Sequence, residues 1–266
     1  MVRAVPGWLR VAAFAFVLLA AVFMLAPLVV VMGVSVSESQ FVVFPPEGFT
    51  FQWYEKALGS PAYLDAFWLS LKLAVLVTVS ASIIGGAAAI GLSRGKRAGG
   101  PAETFFLSPL VLPSIIFAIG LLMLWSALFG PTSFHALWLA HTVVAIPYVI
   151  RTTLAVLAER DPFIEEAART MGATRLKRLW FVTLPQCRPG LLAGAFFAFN
   201  ISFDEAVLSL FLRNPNLTTL PVQIYGQLEF SPDPTVAAVS TLMILITIAL
   251  MLILERMLGL TRFASG

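Results

Sequence analysis

Residues 160–190 read RDPFIEEAARTMGATRLKRLWFVTLPQCRPG and form the longest polar, basic stretch in a chain otherwise dominated by apolar runs. Asp161 can cap a helix that begins at Pro162, because proline already has the helical φ and has no N–H that would need an acceptor there. Gly172 can end this helix by adopting the left-handed conformation. The segment therefore predicts a short, well-delimited helix between apolar spans.

The predicted helix is amphipathic. At about 100° per residue, one arc is apolar and the opposite arc is polar. The apolar arc comprises Phe163, Ile164, Ala167, Ala168 and Met171, and the polar arc comprises Glu165, Glu166, Arg169 and Thr170. A helix this short is marginal alone, so its apolar arc needs a partner, either the following segment of this chain or another subunit. In that segment Leu176, Leu179 and Trp180 recur at helical spacing, and Pro185 is expected to end the run.

The composition excludes a soluble globular protein. The 266 residues are 59% hydrophobic and 12% charged, with a mean hydropathy of +0.91, which leaves too few charges to cover a soluble surface. The net charge of +3 does not indicate nucleic-acid binding, because the basic residues are spread between apolar runs. The single cysteine, Cys187, excludes an internal disulfide and a cysteine-rich metal site.

Apolar runs long enough to cross a bilayer predict six membrane spans. Residues 11–37 carry no charge, which is too long for a signal-peptide core. Residues 104–150 contain no Asp, Glu, Lys or Arg, and the turn at residues 130–133 divides them into two spans. Within one transmembrane domain over residues 1–266, the predicted spans are approximately 11–34, 66–93, 104–129, 134–154, 190–212 and 234–254, with a loop at 155–189. In the second span, Ala87 and Gly91 place small residues one turn apart, which permits close helix packing.

The distribution of basic residues predicts the orientation. With six spans, 14 of the 17 Lys and Arg residues fall on the side that holds the termini and the loop at 155–189. Only Lys56 and Arg213 lie on the opposite side, and Lys72 lies at the edge of a span. The positive-inside rule therefore predicts that both termini and this loop are cytoplasmic.

Motifs in the loop resemble those of a known family. Glu166-Ala167-Ala168, then Gly172 after three residues, then Val182-Thr183-Leu184-Pro185 after nine more, resemble the cytoplasmic EAA loop of the membrane subunits of binding-protein-dependent ABC importers. Val182 stands where the family usually has Ile. This resemblance covers nearly the whole chain. Residues 202–205 (SFDE), 218–222 (TTLPV) and 233–241 (DPTVAAVST) are similar to the spermidine/putrescine permease group, and that likeness rests mainly on residues 202–258.

The resemblance implies an all-α integral membrane protein with six transmembrane helices, the type I ABC importer permease fold and a cytoplasmic coupling helix. In the family this helix sits in a cleft of a separate ATP-hydrolysing subunit. The coupling residues expected here are Glu165, Glu166, Ala167, Ala168, Arg169 and Gly172. The implied partners are a pair of ATP-binding subunits that hold Mg-ATP, a second permease that is usually a different chain, and a soluble substrate-binding protein. The chain itself is expected to be non-catalytic, to bind no cofactor, metal or nucleic acid, and to lie in a bacterial inner membrane.

Polar residues in the fifth span are the candidate substrate pathway. A carboxylate inside a span costs a few kcal/mol if it faces lipid, so Asp204 and Glu205 should face protein, water or a ligand. Asn200, Phe203 and Asp204 share one helical face, and together they could replace part of the hydration of an ammonium group. The predicted pathway residues are therefore Asn200, Phe203, Asp204 and Glu205, and the predicted solute is a small organic cation of the polyamine type. Either acid could instead cap a broken helix or pair with Lys72 or Arg213.

Other classes of function have weaker support. Residues 91–97 are a near miss to a phosphate-binding loop, with three residues between the glycines instead of four and Arg97 where Ser or Thr should bind magnesium. His135 and His141 do not share a helical face and are expected to have structural or hydrogen-bonding roles. An importer of the same class for another small solute remains open, as does an ion-driven secondary transporter, which would need no docking loop and often shows an internal repeat.

Overall fold

A computed structural model describes residues 6–93 and 100–258 of the chain. Over these residues the secondary structure is helical apart from one isolated bridge between Asn214 and Leu217, which confirms the all-α prediction. The basic cluster of Arg94, Lys96 and Arg97, and the terminal residues Arg3 and Arg262, lie outside the described residues. Contacts divide the chain into two compact units, Met1–Pro61 with Ile224–Leu245 and Ala62–Gln223 with Ile246–Gly266, and each is described by itself.

Four described helices are long and apolar enough to cross a membrane. They are α1 (Gly7–Val34), α3 (Pro61–Ser93), α6 (Phe134–Ala158) and the segment Thr235–Met257 of α12 (Thr235–Leu258). Two further candidates are bent pairs, with a bend of 97° in one and 51° in the other. The first pair joins α4 (Pro101–Leu107) and a 3₁₀ turn to α5 (Ser114–Phe129), and the second joins residues 175–204 to α10 (Ala206–Leu212). The number of spans is six if each pair crosses once, so the six-span division stays a prediction.

The first unit contains α1, the short helix α2 (Gln52–Gly59) and parts of α11 (Leu220–Phe230) and α12. Two hydrogen bonds tie α2 to the chain that follows α1. The Trp53 Nε1 donates to the Ser37 carbonyl oxygen at 2.7 Å, and the Tyr54 hydroxyl lies 2.8 Å from the Ser35 Oγ. Between the last two predicted spans, residues 220–230 form α11.

Asp233 links α2 to the start of α12 within the first unit. Its Oδ1 accepts a hydrogen bond from the Thr235 N–H at 2.9 Å, and its Oδ2 accepts one from the Lys56 Nζ at 2.6 Å. Partial burial would raise the pKa of Asp233, but the hydrogen bonds from Lys56 and Thr235 lower it, and the net shift is downward. A carboxyl whose pKa is lower in the folded state stabilises the fold at neutral pH, and this contribution is lost as the pH falls through that pKa.

We therefore expect Asp233→Asn to lower the thermal unfolding midpoint at pH 7 by a small amount, since an exposed lysine partner contributes little. The difference from the wild type should shrink once the pH falls below the ordinary range of an aspartate. The measurement is the unfolding midpoint of the purified protein against pH. A difference that stays constant down to acid pH would show that the charge of Asp233 is not what stabilises this contact.

In the second unit, α6 packs along α9 (Leu184–Asp204) and also against α3, and glycines allow the close approach. A Cβ at Gly194 would lie 2.8 Å from the Val149 Cα, and one at Gly190 would lie 2.7 Å from the Thr152 carbonyl oxygen. A Cβ at Gly85 of α3 would lie 2.9 Å from the Val149 Cβ. Gly190 and Gly194 have the GxxxG spacing of closely packed membrane helices. Ala87 and Gly91, the small residues that permit close packing on α3, are exposed in this chain, and a Cβ at Gly91 would meet nothing within 4 Å.

The helices on either side of the predicted loop at residues 155–189 extend into it. α6 continues to Ala158, and α9 begins at Leu184 instead of near residue 190. Between them lie α7 (Pro162–Thr170), α8 (Arg175–Arg178) and a π-helical turn (Leu179–Thr183). Pro185 does not end the helical run as expected. It lies in the first turn of α9, where a missing N–H is tolerated.

Candidate functional site

The ends of α7 have the geometry that the sequence predicted. At the N-terminus, the Asp161 Oδ1 accepts a hydrogen bond from the Phe163 N–H at 2.9 Å. At the C-terminus, Gly172 has a φ of +82°. Its N–H donates to the Arg169 carbonyl oxygen, and the Ala173 N–H donates to that of Ala168, both at 3.0 Å. These two bonds form a Schellman motif, so the predicted cap and the predicted left-handed stop are both confirmed.

The apolar arc of α7 is not covered by its own chain. Phe163 is 71% exposed and Met171 is 88% exposed. The following segment, which was one of the two possible partners, does not cover this arc, because Leu176 and Trp180 are themselves 65% and 61% exposed. Large apolar surfaces of this kind mark sites of contact with another protein or with a membrane. With the following segment excluded, the arc is open to another subunit or to the surface of a membrane.

The two adjacent glutamates of α7 differ in their surroundings. The Glu165 Oε2 accepts a hydrogen bond from the Arg160 Nη1 at 3.1 Å, and the Glu165 Oε1 lies 3.9 Å from the Arg178 Nε. The side chains of all three are largely shielded from solvent. Glu166 is exposed, and no hydrogen bond or ion pair of its carboxylate occurs within the described residues. Of the other predicted coupling residues, Ala167 and Arg169 are exposed and Ala168 is half-buried.

The candidate pathway residues lie at a helix break. α9 ends at Asp204, and α10 starts at Ala206 after a bend of 51°. The Glu205 Oε1 caps α10 by accepting hydrogen bonds from the Val207 N–H at 2.9 Å and the Leu208 N–H at 3.2 Å. Glu205 therefore caps α10, which was one of the roles that the sequence left open for it. The influence of Glu205 on a substrate stays a prediction.

The surroundings of Asp204 differ from those of Glu205. Its side chain is exposed, and across residues 6–93 and 100–258 its carboxylate makes no hydrogen bond or ion pair. Neither of the cations that the sequence offered as a partner takes that role. Lys72 lies over the Phe134 ring, with its Nζ 5.0 Å from the ring centroid, and Arg213 makes no ion pair within the described residues. Asp204 is therefore open to a ligand or to another subunit.

The other two predicted pathway residues are less accessible. Phe203 is only 2% exposed and packs between the rings of Phe67 and Phe199, at centroid distances of 6.3 and 5.5 Å. Asn200 is half-buried, and its Nδ2 donates to the Phe196 carbonyl oxygen at 2.8 Å. Asp204 is therefore the most accessible of these three side chains. None of the four predicted pathway residues lines the described cavity of about 720 Å³ near the ends of α3, α4 and α6.

Sequence reasoning missed the residues that hold this break in place. His141 of α6 is buried, with its Nδ1 3.1 Å from the Ser202 Oγ on α9 and its Nε2 3.2 Å from the Ser209 Oγ on α10. The hydrogen-bonding role expected of His141 is confirmed, but its partners were not predicted. The sequence does contain a signal for these partners. A buried polar group in an apolar span needs a hydrogen-bond partner, and Ser202 and Ser209 lie two turns apart on the segment that contains the break.

Comparison with known proteins identifies the family. The model of the binding-protein-dependent transport system inner membrane component matches residues 81–260. The chain belongs to this family. It is a permease subunit of a type I ABC importer and a multi-pass membrane protein, so the predicted class is confirmed.

Two relatives of this permease come from Escherichia coli (strain K12). The putrescine transport system permease protein PotI is 33% identical over 235 residues, which cover 85% of this chain and 83% of PotI. The spermidine/putrescine transport system permease protein PotC is 29% identical over 231 residues, which cover 86% of this chain and 87% of PotC. Both alignments extend over nearly the full length of each protein.

Solved structures share the fold of this permease. A chain of a bacterial alginate ABC transporter, in complex with an alginate pentasaccharide-bound periplasmic protein, has a TM-score of 0.71 at 15% identity over 94% of this chain and 93% of that one. A chain of the MetNI methionine ABC transporter in an inward-facing conformation has a TM-score of 0.62 at 18% identity over 74% and 94%. At these identities the likeness concerns the fold alone.

Proposed function

We propose that this permease forms half of the translocation pathway of an ATP-driven importer for a small organic cation of the polyamine type. The names of PotI and PotC support the solute class, since they refer to putrescine and to spermidine/putrescine. The observation that carries the proposal in this chain is Asp204, an exposed carboxylate at the break between α9 and α10 that makes no ion pair within residues 6–93 and 100–258. A carboxylate in such a place suits an ammonium group, which needs compensation when it leaves water.

The proposed pathway contains Asn200, Phe203, Asp204 and Glu205 in different roles. Asp204 meets the solute directly. Glu205 acts through the start of α10, which it caps, and Phe203 acts through the aromatic packing that supports Asp204. Asn200 lies one turn before Asp204 on α9 and presents its amide near the same path. The opposite half of the pathway comes from a second permease, which in this group is usually a different chain.

The proposed coupling element is α7, through Glu165, Glu166, Ala167, Ala168, Arg169 and Gly172. Its exposed apolar arc, with Phe163 and Met171, enters a cleft of a partner ATPase subunit, where apolar burial supplies most of the docking energy. Glu166 and Arg169 lie on the polar arc and meet charged groups at the rim of that cleft. Mg-ATP binds to the pair of ATPase subunits, and this chain transmits their motion without binding a cofactor itself.

The proposed topology follows from the distribution of charge. Both termini and the loop with α7 lie in the cytoplasm of a bacterium, because most basic residues fall on that side. Asp204 then lies toward the outer side of the inner membrane, where a solute arrives from a soluble binding protein.

Transport by the reconstituted complex tests the solute and the site together. The complex contains this permease, the second permease, the ATPase pair and the binding protein in lipid vesicles, and the measurement is the uptake of labelled putrescine and spermidine. We expect ATP-dependent uptake of at least one polyamine. Asp204→Asn should lower uptake by roughly tenfold or more, because a charge-assisted contact is lost. Glu205→Gln should have a smaller effect, since a glutamine oxygen can still cap α10.

Asp65→Asn is the matched control, because Asp65 is an exposed aspartate in the second turn of α3 and lies outside the helix break. This variant should transport like the wild type. If the complex carries an anionic or neutral solute and no polyamine, the solute proposal is wrong. If polyamines are carried equally well by wild type and Asp204→Asn, the solute stands and the site is wrong.

A further inference from the structure

Three charged side chains meet at the base of α7. Arg160 precedes the helix, Glu165 lies in its first turn, and Arg178 ends α8, which follows it. The distances are 3.1 Å from the Arg160 Nη1 to the Glu165 Oε2 and 3.9 Å from the Arg178 Nε to the Glu165 Oε1. This cluster of Arg160, Glu165 and Arg178 therefore ties the chain before α7, and α7 itself, to the chain after it.

The charges of the cluster interact more strongly than those of an exposed ion pair, because the three side chains are largely shielded from solvent. The exposed fractions of the three side chains are 16% for Arg160, 21% for Glu165 and 16% for Arg178. Charges this shielded are screened less by salt than exposed pairs. The Arg178 Nε is buried and has no hydrogen-bond acceptor in the described part of the chain, so the Glu165 carboxylate is the anion that compensates it. Without that carboxylate, two partly buried guanidinium groups would lie close together.

We propose that Glu165 is a positioning residue that fixes the orientation of α7 on its own chain, whereas Glu166 is the glutamate presented to the ATPase. This inference rests on the proposed function, because it assigns separate tasks to two adjacent coupling residues. Glu166 is exposed and its carboxylate is unpaired within the described residues, while Glu165 points to two arginines of the same loop. Adjacent residues of a helix point about 100° apart, so one can face inward while the other faces outward.

The physical reason for such a cluster is the small size of α7. The helix has nine residues, and most of its apolar arc is exposed, so packing against its own unit does little to fix its angle. If α7 could change its angle freely when the ATPase moved, the loop would deform and the motion would not reach α6 and α9. With Glu165 bound to Arg160 and held near Arg178, a push on the exposed arc moves α7 together with the chain that leads into α6 and α9.

A double-mutant cycle in the reconstituted complex tests the assignment. The variants are Glu165→Gln, Arg160→Gln and the double variant, and the readout is the amount of solute transported per ATP hydrolysed. Each single variant should lower this ratio by on the order of tenfold while ATP hydrolysis continues, and the double variant should be no worse than either single variant. The matched cycle of Glu166→Gln with Arg160→Gln should give effects that multiply. Multiplying effects of Glu165→Gln and Arg160→Gln would overturn the proposal.

A second measurement does not depend on transport. In a Cys187→Ala background, nitroxide labels at Thr170→Cys, an exposed position of α7 outside the coupling set, and at Ile83→Cys on α3 report the distribution of distances between these helices in the assembled complex in lipid nanodiscs. The distribution should be narrow in the wild type and with Glu166→Gln, and broad with Glu165→Gln and with Arg160→Gln. An unchanged distribution with Glu165→Gln would refute the positioning role. Broadening in a complex that carries no polyamine would leave this inference standing and count against the proposed solute alone.

Discussion

Replacing Gly194 with alanine should destabilise this permease almost as much as replacing it with leucine. The reason is that the added Cβ itself would lie 2.8 Å from the Val149 Cα and 2.7 Å from the Thr152 Oγ1. A flexible side chain can turn away from such a contact, but the Val149 Cα is part of the α6 backbone. Relief therefore requires α6 and α9 to move apart along an interface that also holds Gly190, Ala145 and Ala198. Overpacking a core typically costs about 1–3 kcal/mol, and we expect the upper end here.

The measurement is the unfolding midpoint and the monodisperse yield of the purified permease in detergent. Gly120→Leu is the matched control, because a Cβ at Gly120 of α5 would meet nothing within 4 Å. It adds a leucine side chain to a membrane helix without a backbone contact and removes a glycine, which is a poor helix former, so its midpoint should be no lower than that of the wild type. A Gly194→Ala variant with wild-type stability would show that the two helices are not held at the distance seen in this structure.

The contrast between Gly194 and Gly91 shows what the sequence could predict about packing. Small residues one turn apart mark a helix face that permits close approach, and both the pair Ala87/Gly91 and the pair Gly190/Gly194 satisfy that pattern. Which face meets another helix depends on the rotation of each helix, and this is decided by contacts with distant parts of the chain. The pattern therefore indicated the kind of contact, but it could not identify which pair of small residues meets another helix of the same chain.

Local signals were more informative at helix ends. Capping depends on residues within a few positions of the end, and so Asp161 and Gly172 were sufficient to predict both ends of α7. The ends of two apolar runs were informative as well, because α1 ends at Val34 and α5 at Phe129. The start of α9 was less predictable, since Pro185 is compatible with either the end of one helix or the first turn of the next.

In the candidate site as well, the sequence predicted some features and could not predict others. An acidic residue in an apolar span needs a partner, so Asp204 and Glu205 were identified from the sequence. Whether each carboxylate meets a backbone N–H or remains open depends on the break between α9 and α10, which neither glycine nor proline marks. The burial of Phe203 and the inward direction of Glu165 also depend on neighbours that are distant in sequence. Phe67 packs against Phe203, and Arg178 approaches Glu165.

The second large effect is expected at Gly172, where replacement with valine should abolish most of the uptake. The φ of +82° lies in the left-handed region, which costs an L-residue roughly 1–2 kcal/mol and a β-branched residue more. A Cβ at Gly172 would meet nothing within 4 Å, so the cost in this chain comes from the backbone and not from lack of space. To avoid it, the chain would have to give up the Schellman motif, and α7 would then leave its loop at a different angle.

The order of three substitutions at Gly172 separates this backbone effect from a steric contact with the ATPase. Asparagine tolerates the left-handed conformation better than alanine does, although it is larger. If φ limits the site, uptake at equal membrane abundance should fall in the order Gly, Asn, Ala, Val. If the ATPase surface leaves no room for a side chain, alanine should instead be tolerated better than asparagine. Uptake by the reconstituted complex therefore decides between a glycine required for the end of α7 and one required for the fit of its partner.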